Sequence, residues 1–236
     1  PRIINLSDGI KKDYQFIIFY NQAESSLAQE INKFKPSNID IAYLASKGII
    51  KLRYDKNSIS EEEESLFTKN ITQVFETDII AYENVDISKI LLNLLLEKEI
   101  TVSFVESVTG GELSSKLTKN PGSSTAFIGS SIVYTKQAKK LLLDTDEKLN
   151  NWQLLAERLA DNALSHYKSD ITLAILGEAG PISSSKYGIG EIFINISDKH
   201  NSISTTHKLN GNREEVIQRA VNKSIWELIN FVKNLY

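Results

Sequence analysis

Two hydroxyl side chains, Ser107 and Thr109, stand between an apolar stretch at residues 102–105 and a pair of glycines, Gly110 and Gly111. The apolar stretch is typical of a buried strand, and the glycines end it ahead of a predicted helix at residues 112–119. Open α/β sheets bind ligands beyond the carboxyl ends of such strands, where a helix N-terminus offers N–H groups to an anion. The pattern therefore indicates a hydroxyl nucleophile beside an oxyanion site. It also fits a turn in which Ser and Thr only cap the helix.

Composition limits the chemistry that can accompany these hydroxyls. The 236-residue chain has no cysteine, which excludes disulfides, thiolate nucleophiles and thiolate metal sites. Its three histidines lack the spacing of metal ligands, so we expect neither a metal nor another cofactor. A net charge of −3 gives no electrostatic reason to expect nucleic acid as a partner. No apolar run is long enough to span a membrane and no signal-peptide pattern is present, so we expect a soluble, cytoplasmic protein.

Residues 87–236 alternate helical and strand patterns, which is typical of α/β proteins. The last helix carries one apolar side that would cover a sheet. Two alternating segments before it predict an antiparallel hairpin, so the sheet should be mixed. We predict a three-layer α/β/α domain over residues 87–236. Besides the strand and helix on either side of Ser107, its elements are helices at 87–99, 135–143, 152–168 and 213–235 and strands at 129–134, 171–176, 191–197 and 202–209.

Residues 1–86 predict a separate, small α+β domain with the element order β-α-β-β-α-β. Ser60 should cap its second helix, with the glutamates at 61–64 in the first turn. Acidic residues outnumber basic ones, and no Gly-x-x-Gly clamp for a nucleic-acid backbone is present. We therefore do not expect this domain to bind nucleic acid. The apolar stripe predicted for the second helix consists of Leu66, Ile71, Val74 and Phe75.

Five short polar segments stand where predicted strands and helices meet. They read ESVTGG (106–111), PGSS (121–124), VYTKQAK (133–139), GEAGP (177–181) and GNR (211–213). In this order they resemble the C-terminal domain of the CinA family of competence/damage-inducible proteins and nicotinamide mononucleotide amidohydrolases. That family's pattern reads ESCTGG, P/A-GSS, VTYSNEAK, GIAGP and GDR. Residues 39–55 also resemble the KH-like middle domain of full-length CinA proteins, so the resemblance implies that the small domain is KH-like. We expect the family's N-terminal molybdopterin-binding-like domain to be absent.

The resemblance implies an enzyme that converts nicotinamide mononucleotide and water to nicotinate mononucleotide and ammonia. Ser107 matches the family's nucleophile, and Tyr134 and Lys139 match its Tyr and Lys. An amide is a poor electrophile with a poor leaving group, so its hydrolysis favours an activated nucleophile and a proton donor for ammonia. Without a cysteine or a histidine partner, a Ser–Lys pair with Tyr134 remains. Lys139 can act as a base only if burial or cationic neighbours keep its amine neutral.

The five-residue spacing from Tyr134 to Lys139 constrains the geometry. On a single helix the two side chains would point about 140° apart and could not face one site. We therefore expect Tyr134 at the end of a strand and Lys139 on the helix after it. The alternative is that Lys139 is a solvated surface residue beside Lys136 and Lys140.

The implied substrate carries a 5′-phosphate, so the site also needs groups that bind an anion. Glycines permit close backbone approach, hydroxyls donate hydrogen bonds, and an arginine supplies charge. Arg213 could equally be an ordinary surface residue. The predicted substrate-binding residues are Thr109, Gly110, Gly111, Ser123, Ser124, Gly177 and Arg213.

Several positions depart from the family's pattern. Leu176 stands where members commonly have Thr or Ser, and Glu178 brings a negative charge to a position that is usually apolar. The family's GAVSE segment before the long helix is missing. These departures favour a second hypothesis, a catalytically impaired CinA-like module that binds a nucleotide or serves as a scaffold. For either function, a homodimer is the default assembly.

Overall fold

The computed structural model describes residues 12–20, 22–143, 150–183 and 185–235. Contacts divide the chain into two units, the first up to Asn84 and the second from Val85 onward. The division lies close to the boundary predicted after residue 86. Asp86 itself belongs to the second unit because its carboxylate accepts a hydrogen bond from the Ser88 N–H at 2.9 Å and so caps the first helix of that unit.

The first unit has the predicted element order and an antiparallel four-stranded sheet. Its strands lie in the order β2-β3-β1-β4, which is the split βαβ topology. The resemblance implied a KH-like domain here, and that assignment stays a prediction. The elements are β1 (Tyr14–Tyr20), α1 (Glu24–Ile31), β2 (Ala42–Ser46), β3 (Ile49–Asp55), α2 (Glu61–Phe75) and β4 (Ile79–Ala81).

Helix α2 begins as predicted but buries a different stripe. Ser60 and Glu63 form a capping box, in which each side chain accepts a hydrogen bond from the other residue's N–H. The buried side chains are those of Phe67, Ile71 and Phe75, at a spacing of four residues. The prediction that Leu66 and Val74 belong to the buried stripe is wrong, since these residues are 60% and 49% exposed. They lie about 100° around the helix from the buried stripe.

The second unit is the predicted α/β fold with a mixed five-stranded sheet in the order β6-β5-β7-β8-β9. Strands β6, β5 and β7 are parallel to one another, whereas β7–β8 and β8–β9 are antiparallel pairs. Helix α6 packs on one face of the sheet, and α7 packs against β7 and β8 and also contacts α3 and α4. The elements are α3 (Ile87–Glu97), β5 (Val102–Glu106), α4 (Glu112–Thr118), β6 (Phe127–Ile132), α5 (Lys136–Leu143), α6 (Trp152–Tyr167), β7 (Ile171–Gly177), β8 (Glu191–Ser197), β9 (Ser202–Lys208) and α7 (Arg213–Leu235).

Helix α7 is 23 residues long and buries its predicted apolar side, including Val216, Ala220, Ile225 and Leu228. It also carries several charged residues. In the described part of the chain, no helix combines the length and apolar character that crossing a membrane requires.

Candidate active site

Ser107 lies at the carboxyl edge of the parallel strands, directly after β5. Its backbone N–H donates to the carbonyl oxygen of Ile175 in β7 at 3.0 Å, which holds the start of the turn against the neighbouring strand. The residue is buried. Ser107 is therefore fixed by the sheet, at the edge where α/β sheets bind their ligands.

Lys139 lies on α5 and reaches back to Ser107. Its Nζ is 2.8 Å from Ser107 Oγ and donates to the carbonyl oxygen of Val133 at 2.8 Å, with a longer contact of 3.4 Å to that of Tyr134. Strand β6 ends at Ile132 and α5 begins at Lys136. Lys139 is therefore on the helix as expected, whereas Tyr134 lies in the connection, two residues beyond the strand that was predicted to end with it. Lys139 is half-buried, so it is not a solvated surface lysine.

Burial lowers the pKa of the Lys139 amine from 10.5 to about 8, and the negative charge of Glu178 opposes part of that shift. Burial acts in this direction because a charged ammonium loses its hydration. With a pKa of about 8, about a tenth of the amines are neutral at pH 7. The Lys139 amine lies at hydrogen-bonding distance from the Ser107 hydroxyl. In its neutral form it can therefore take the hydroxyl proton.

The Tyr134 hydroxyl is bound by Arg213. It accepts a hydrogen bond from Arg213 Nη2 at 2.7 Å, and Arg213 Nη1 donates to the carbonyl oxygen of Gly180 at 2.5 Å. Tyr134 is 56% exposed. Arg213 is exposed, and its two hydrogen bonds connect the segment after β6 to the loop after β7. Among the described contacts, none joins the Tyr134 hydroxyl to the Lys139 amine, and the role of Tyr134 in proton transfer stays a prediction.

The N–H groups of Gly110 and Gly111, which the sequence predicts to face an anion, both have acceptors within the turn. Gly111 donates to Glu106 at 2.9 Å, and Gly110 donates to the carbonyl oxygen of Ser107 at 3.2 Å. Thr109 is buried, and its hydroxyl also donates to Glu106, at 2.7 Å. Sequence reasoning missed Glu106, although a carboxylate placed shortly before a glycine turn and a helix was a usable signal for a cap.

Comparison with known proteins tests the resemblance that the five polar segments indicated. A family model of the CinA C-terminal domain matches residues 84–232. The chain belongs to the CinA family. A CinA-like protein of Flavobacterium psychrophilum is 30% identical over 239 residues, covering 95% of this chain and 57% of that protein. One from Prochlorococcus marinus (strain MIT 9301) is 34% identical over 201 residues, covering 80% and 47%. The chain spans about half the length of the curated relatives it matches.

Solved structures of CinA proteins share the fold. A competence or damage-inducible protein from Enterobacter asburiae superposes with a TM-score of 0.58 at 22% identity, covering 62% of this chain and 96% of that one. A CinA superfamily protein from Escherichia coli gives a TM-score of 0.58 at 21% identity, covering 61% and 88%.

Two further segments of the CinA pattern lie at opposite edges of the parallel strands. Ser123 and Ser124 precede β6, and Val102 at the start of β5 pairs with Phe127. Both serines therefore lie at the amino edge of the parallel strands, a strand's length of about 16 Å from Ser107. Within one chain they are therefore distant from the proposed nucleophile, and their assignment to the substrate site stays a prediction.

Gly177 does lie at the carboxyl edge, at the end of β7, but its small size has a packing reason. A Cβ atom there would lie 2.8 Å from the carbonyl oxygen of Glu191 and would collide with Ile192. The close approach of β8 therefore requires glycine at this position, independently of any ligand.

Of the departures from the CinA pattern, Glu178 is the one with an electrostatic effect on the site. It follows β7 directly and is buried, and its charge acts on the Lys139 amine by raising the pKa. Leu176 is also buried, and it packs with the side chains that contact α6. Asn151, beside the missing GAVSE segment, caps α6 by accepting the N–H groups of Gln153 and Leu154 at 3.0 and 3.3 Å.

Proposed function

We propose that this CinA protein hydrolyses the carboxamide of nicotinamide mononucleotide to give nicotinate mononucleotide and ammonia. The observation that carries the proposal is the 2.8 Å distance between Ser107 Oγ and the Lys139 amine, whose pKa is lowered to about 8. A Ser–Lys pair of this kind is a known solution for acyl transfer.

In this mechanism neutral Lys139 takes the hydroxyl proton while Ser107 Oγ attacks the carboxamide carbon. The ammonium of Lys139 then returns a proton to the departing nitrogen, which leaves as ammonia, and a serine ester remains. Water attacks the ester with Lys139 again as the base, which releases the carboxylic acid and regenerates the hydroxyl. Val133 supports this step because its carbonyl oxygen accepts from the amine at 2.8 Å and so orients it.

Arg213 is proposed as the group that binds the 5′-phosphate. Its contacts with Gly180 and Tyr134 hold the guanidinium in place. The remaining N–H donors of the guanidinium can then meet phosphate oxygens without losing side-chain freedom. Tyr134 is accordingly proposed to position Arg213.

Replacing Arg213 with methionine should raise KM for nicotinamide mononucleotide by about tenfold or more, with a smaller effect on kcat, since a hydrogen bond to a charged group contributes about 1.5–3 kcal/mol and Arg213 is exposed. The measurement is steady-state ammonia release. Nicotinamide riboside, which lacks the phosphate, is the internal control and should show little change in KM. An equal loss for both substrates would contradict the phosphate assignment.

The rate should depend on pH through the Lys139 amine. Because the neutral amine is the active form, kcat/KM should rise with pH and level off above about 8, as a single proton is lost. Glu178→Gln removes the charge that raises this pKa, so the midpoint should move to lower pH and the rate at pH 6.5 should rise about two- to fivefold. Asp161→Asn, an exposed substitution on α6, should leave the midpoint unchanged. An unchanged midpoint in Glu178→Gln would contradict the assignment of Lys139 as the base.

The impaired module remains the second candidate, and Glu178 is the observation that favours it, because a carboxylate that keeps the amine protonated slows proton transfer. Ammonia release by the purified chain discriminates between the two. Hydrolysis supports the enzyme. Its absence, together with a heat of binding for nicotinamide mononucleotide in calorimetry, supports a nucleotide-binding module, and absence of both supports a scaffold.

A further inference from the structure

Glu106 is the last residue of β5 and is 0% exposed. A buried carboxylate must be compensated by hydrogen bonds. Its Oε2 accepts from Thr109 Oγ1 at 2.7 Å, from the Gly111 N–H at 2.9 Å and from the Leu113 N–H at 3.1 Å. Its Oε1 accepts from the Ser114 N–H at 2.9 Å and from the Ser114 hydroxyl. The carboxylate therefore joins the end of β5 to the first turn of α4 across the residue that carries the nucleophile.

The other backbone N–H groups of the turn are also engaged, with two exceptions. Ser107 donates to Ile175, Gly110 donates to Ser107, and Glu112 donates to Thr109, all through carbonyl oxygens. Within the described chain, the N–H groups between Ser107 and Ser114 that have no acceptor are those of Val108 and Thr109. Both residues are buried.

Unpaired N–H groups at buried residues are rare and call for an explanation. These two follow the proposed nucleophile directly. In other acyl-transfer sites, the N–H of the residue after the nucleophile is one of the donors that stabilise the oxyanion.

We propose that Glu106 is a positioning residue, which fixes the turn so that the N–H groups of Val108 and Thr109 bind the oxyanion that forms when Ser107 attacks. The carboxylate occupies the N–H groups of the first turn of α4 and repels a second anion there. The oxyanion therefore meets the two donors that the turn leaves open. This inference rests on the acyl transfer in the proposed function, but not on the identity of the amide.

Glu106→Gln tests this role, because an amide keeps the volume but presents an NH2 group to N–H donors that need an acceptor. We expect kcat to fall about a hundredfold or more, the loss that removal of an oxyanion donor causes. KM should stay within about threefold, because the oxyanion exists only in the transition state. The pH midpoint should not change, since Glu106 binds the turn and not the amine. Glu112→Gln, an exposed substitution in the same turn, is the matched control and should remain within about twofold.

A second variant, Thr109→Val, tests the same role if Glu106→Gln does not fold. Thr109→Val has nearly the same shape and removes one donor to Glu106, so we expect a stable protein with kcat reduced about tenfold. For both variants, thermal unfolding should show that the chain is folded at the assay temperature. Two results together would overturn the inference: Thr109→Val keeps the wild-type kcat, and the decrease in kcat of Glu106→Gln is no larger than its fraction of unfolded protein explains.

A fluorophosphonate probe separates this inference from the proposed substrate. The probe reacts with activated serines and develops negative charge on its phosphonyl oxygen, so labelling of Ser107 needs the same donors. Labelling should slow in Glu106→Gln and Thr109→Val by factors similar to those in kcat. If the wild type is labelled but does not hydrolyse nicotinamide mononucleotide, the proposed function fails and the labelling rates still decide the role of Glu106. Equal labelling in all variants would refute it.

Discussion

Replacing Ser107 with alanine is expected to lower kcat for ammonia release from nicotinamide mononucleotide by about a thousandfold or more. The side chain supplies the atom that forms the ester, and in nucleophilic catalysis removal of that atom leaves only binding and electrostatic stabilisation. Ser107 Oγ lies 2.8 Å from the Lys139 amine. The other contacts that the structure gives to this amine are to the carbonyl oxygens of Val133 and Tyr134, which have no proton to transfer. The measurement is steady-state ammonia release at pH 8, where about half of the amines are neutral.

The matched control for Ser107→Ala is Ser115→Ala, which removes an exposed hydroxyl from the same strand–turn–helix segment. It should keep kcat within about twofold. Calorimetry should show that Ser107→Ala still binds the mononucleotide, since the proposed phosphate contact at Arg213 is intact. Retention of wild-type activity in Ser107→Ala would remove the nucleophile assignment and with it the proposed mechanism.

The fold of the second unit was predictable because its signals are local. Apolar periodicity marked each helix and strand, and the central strand before Ser107 is as buried as its residues indicated. The same kind of signal placed Lys139 on the helix after β6. Local periodicity was less reliable in α2, where Leu66 and Val74 fit an apolar stripe next to the one that is buried. Only the sheet beneath a helix decides between two neighbouring stripes.

The site was predictable only as far as residues near in sequence determine it. Arg213 binds the Tyr134 hydroxyl across 79 residues and the Gly180 carbonyl across 33, and no local pattern encodes such partners. Strand direction would have placed Ser123 and Ser124 away from Ser107 within one chain. They precede a parallel strand, whereas Ser107, Tyr134 and Glu178 follow one, and the two ends of parallel strands lie at opposite edges of the sheet. Strand direction is therefore a stronger guide to the site than the presence of hydroxyls.

The second large effect is expected from Lys139→Met, which should abolish activity and stabilise the fold. Loss of the base should lower kcat about a thousandfold, because the Ser107 hydroxyl is then not activated. The folded chain holds this amine at a pKa of about 8 instead of 10.5, so the unfolded chain binds more protons between these values. Wild-type stability should therefore rise with pH across this range, and below pH 8 the buried ammonium destabilises the fold. Methionine avoids this cost and fills a similar volume.

The half-buried position of Lys139 limits the gain, so we expect the free energy of unfolding of Lys139→Met at pH 7 to exceed that of the wild type by about 1 kcal/mol. Urea unfolding at pH 7 and at pH 10 is the measurement, and the difference should shrink at pH 10, where the wild-type amine is neutral in the folded chain. Lys136→Met, an exposed substitution on the same helix, should change neither activity nor the pH dependence. A Lys139→Met protein that is equally destabilised at both pH values would show that the hydrogen bonds of the amine, and not its desolvation, dominate its effect on stability. The pKa assigned to the base would then lose its support.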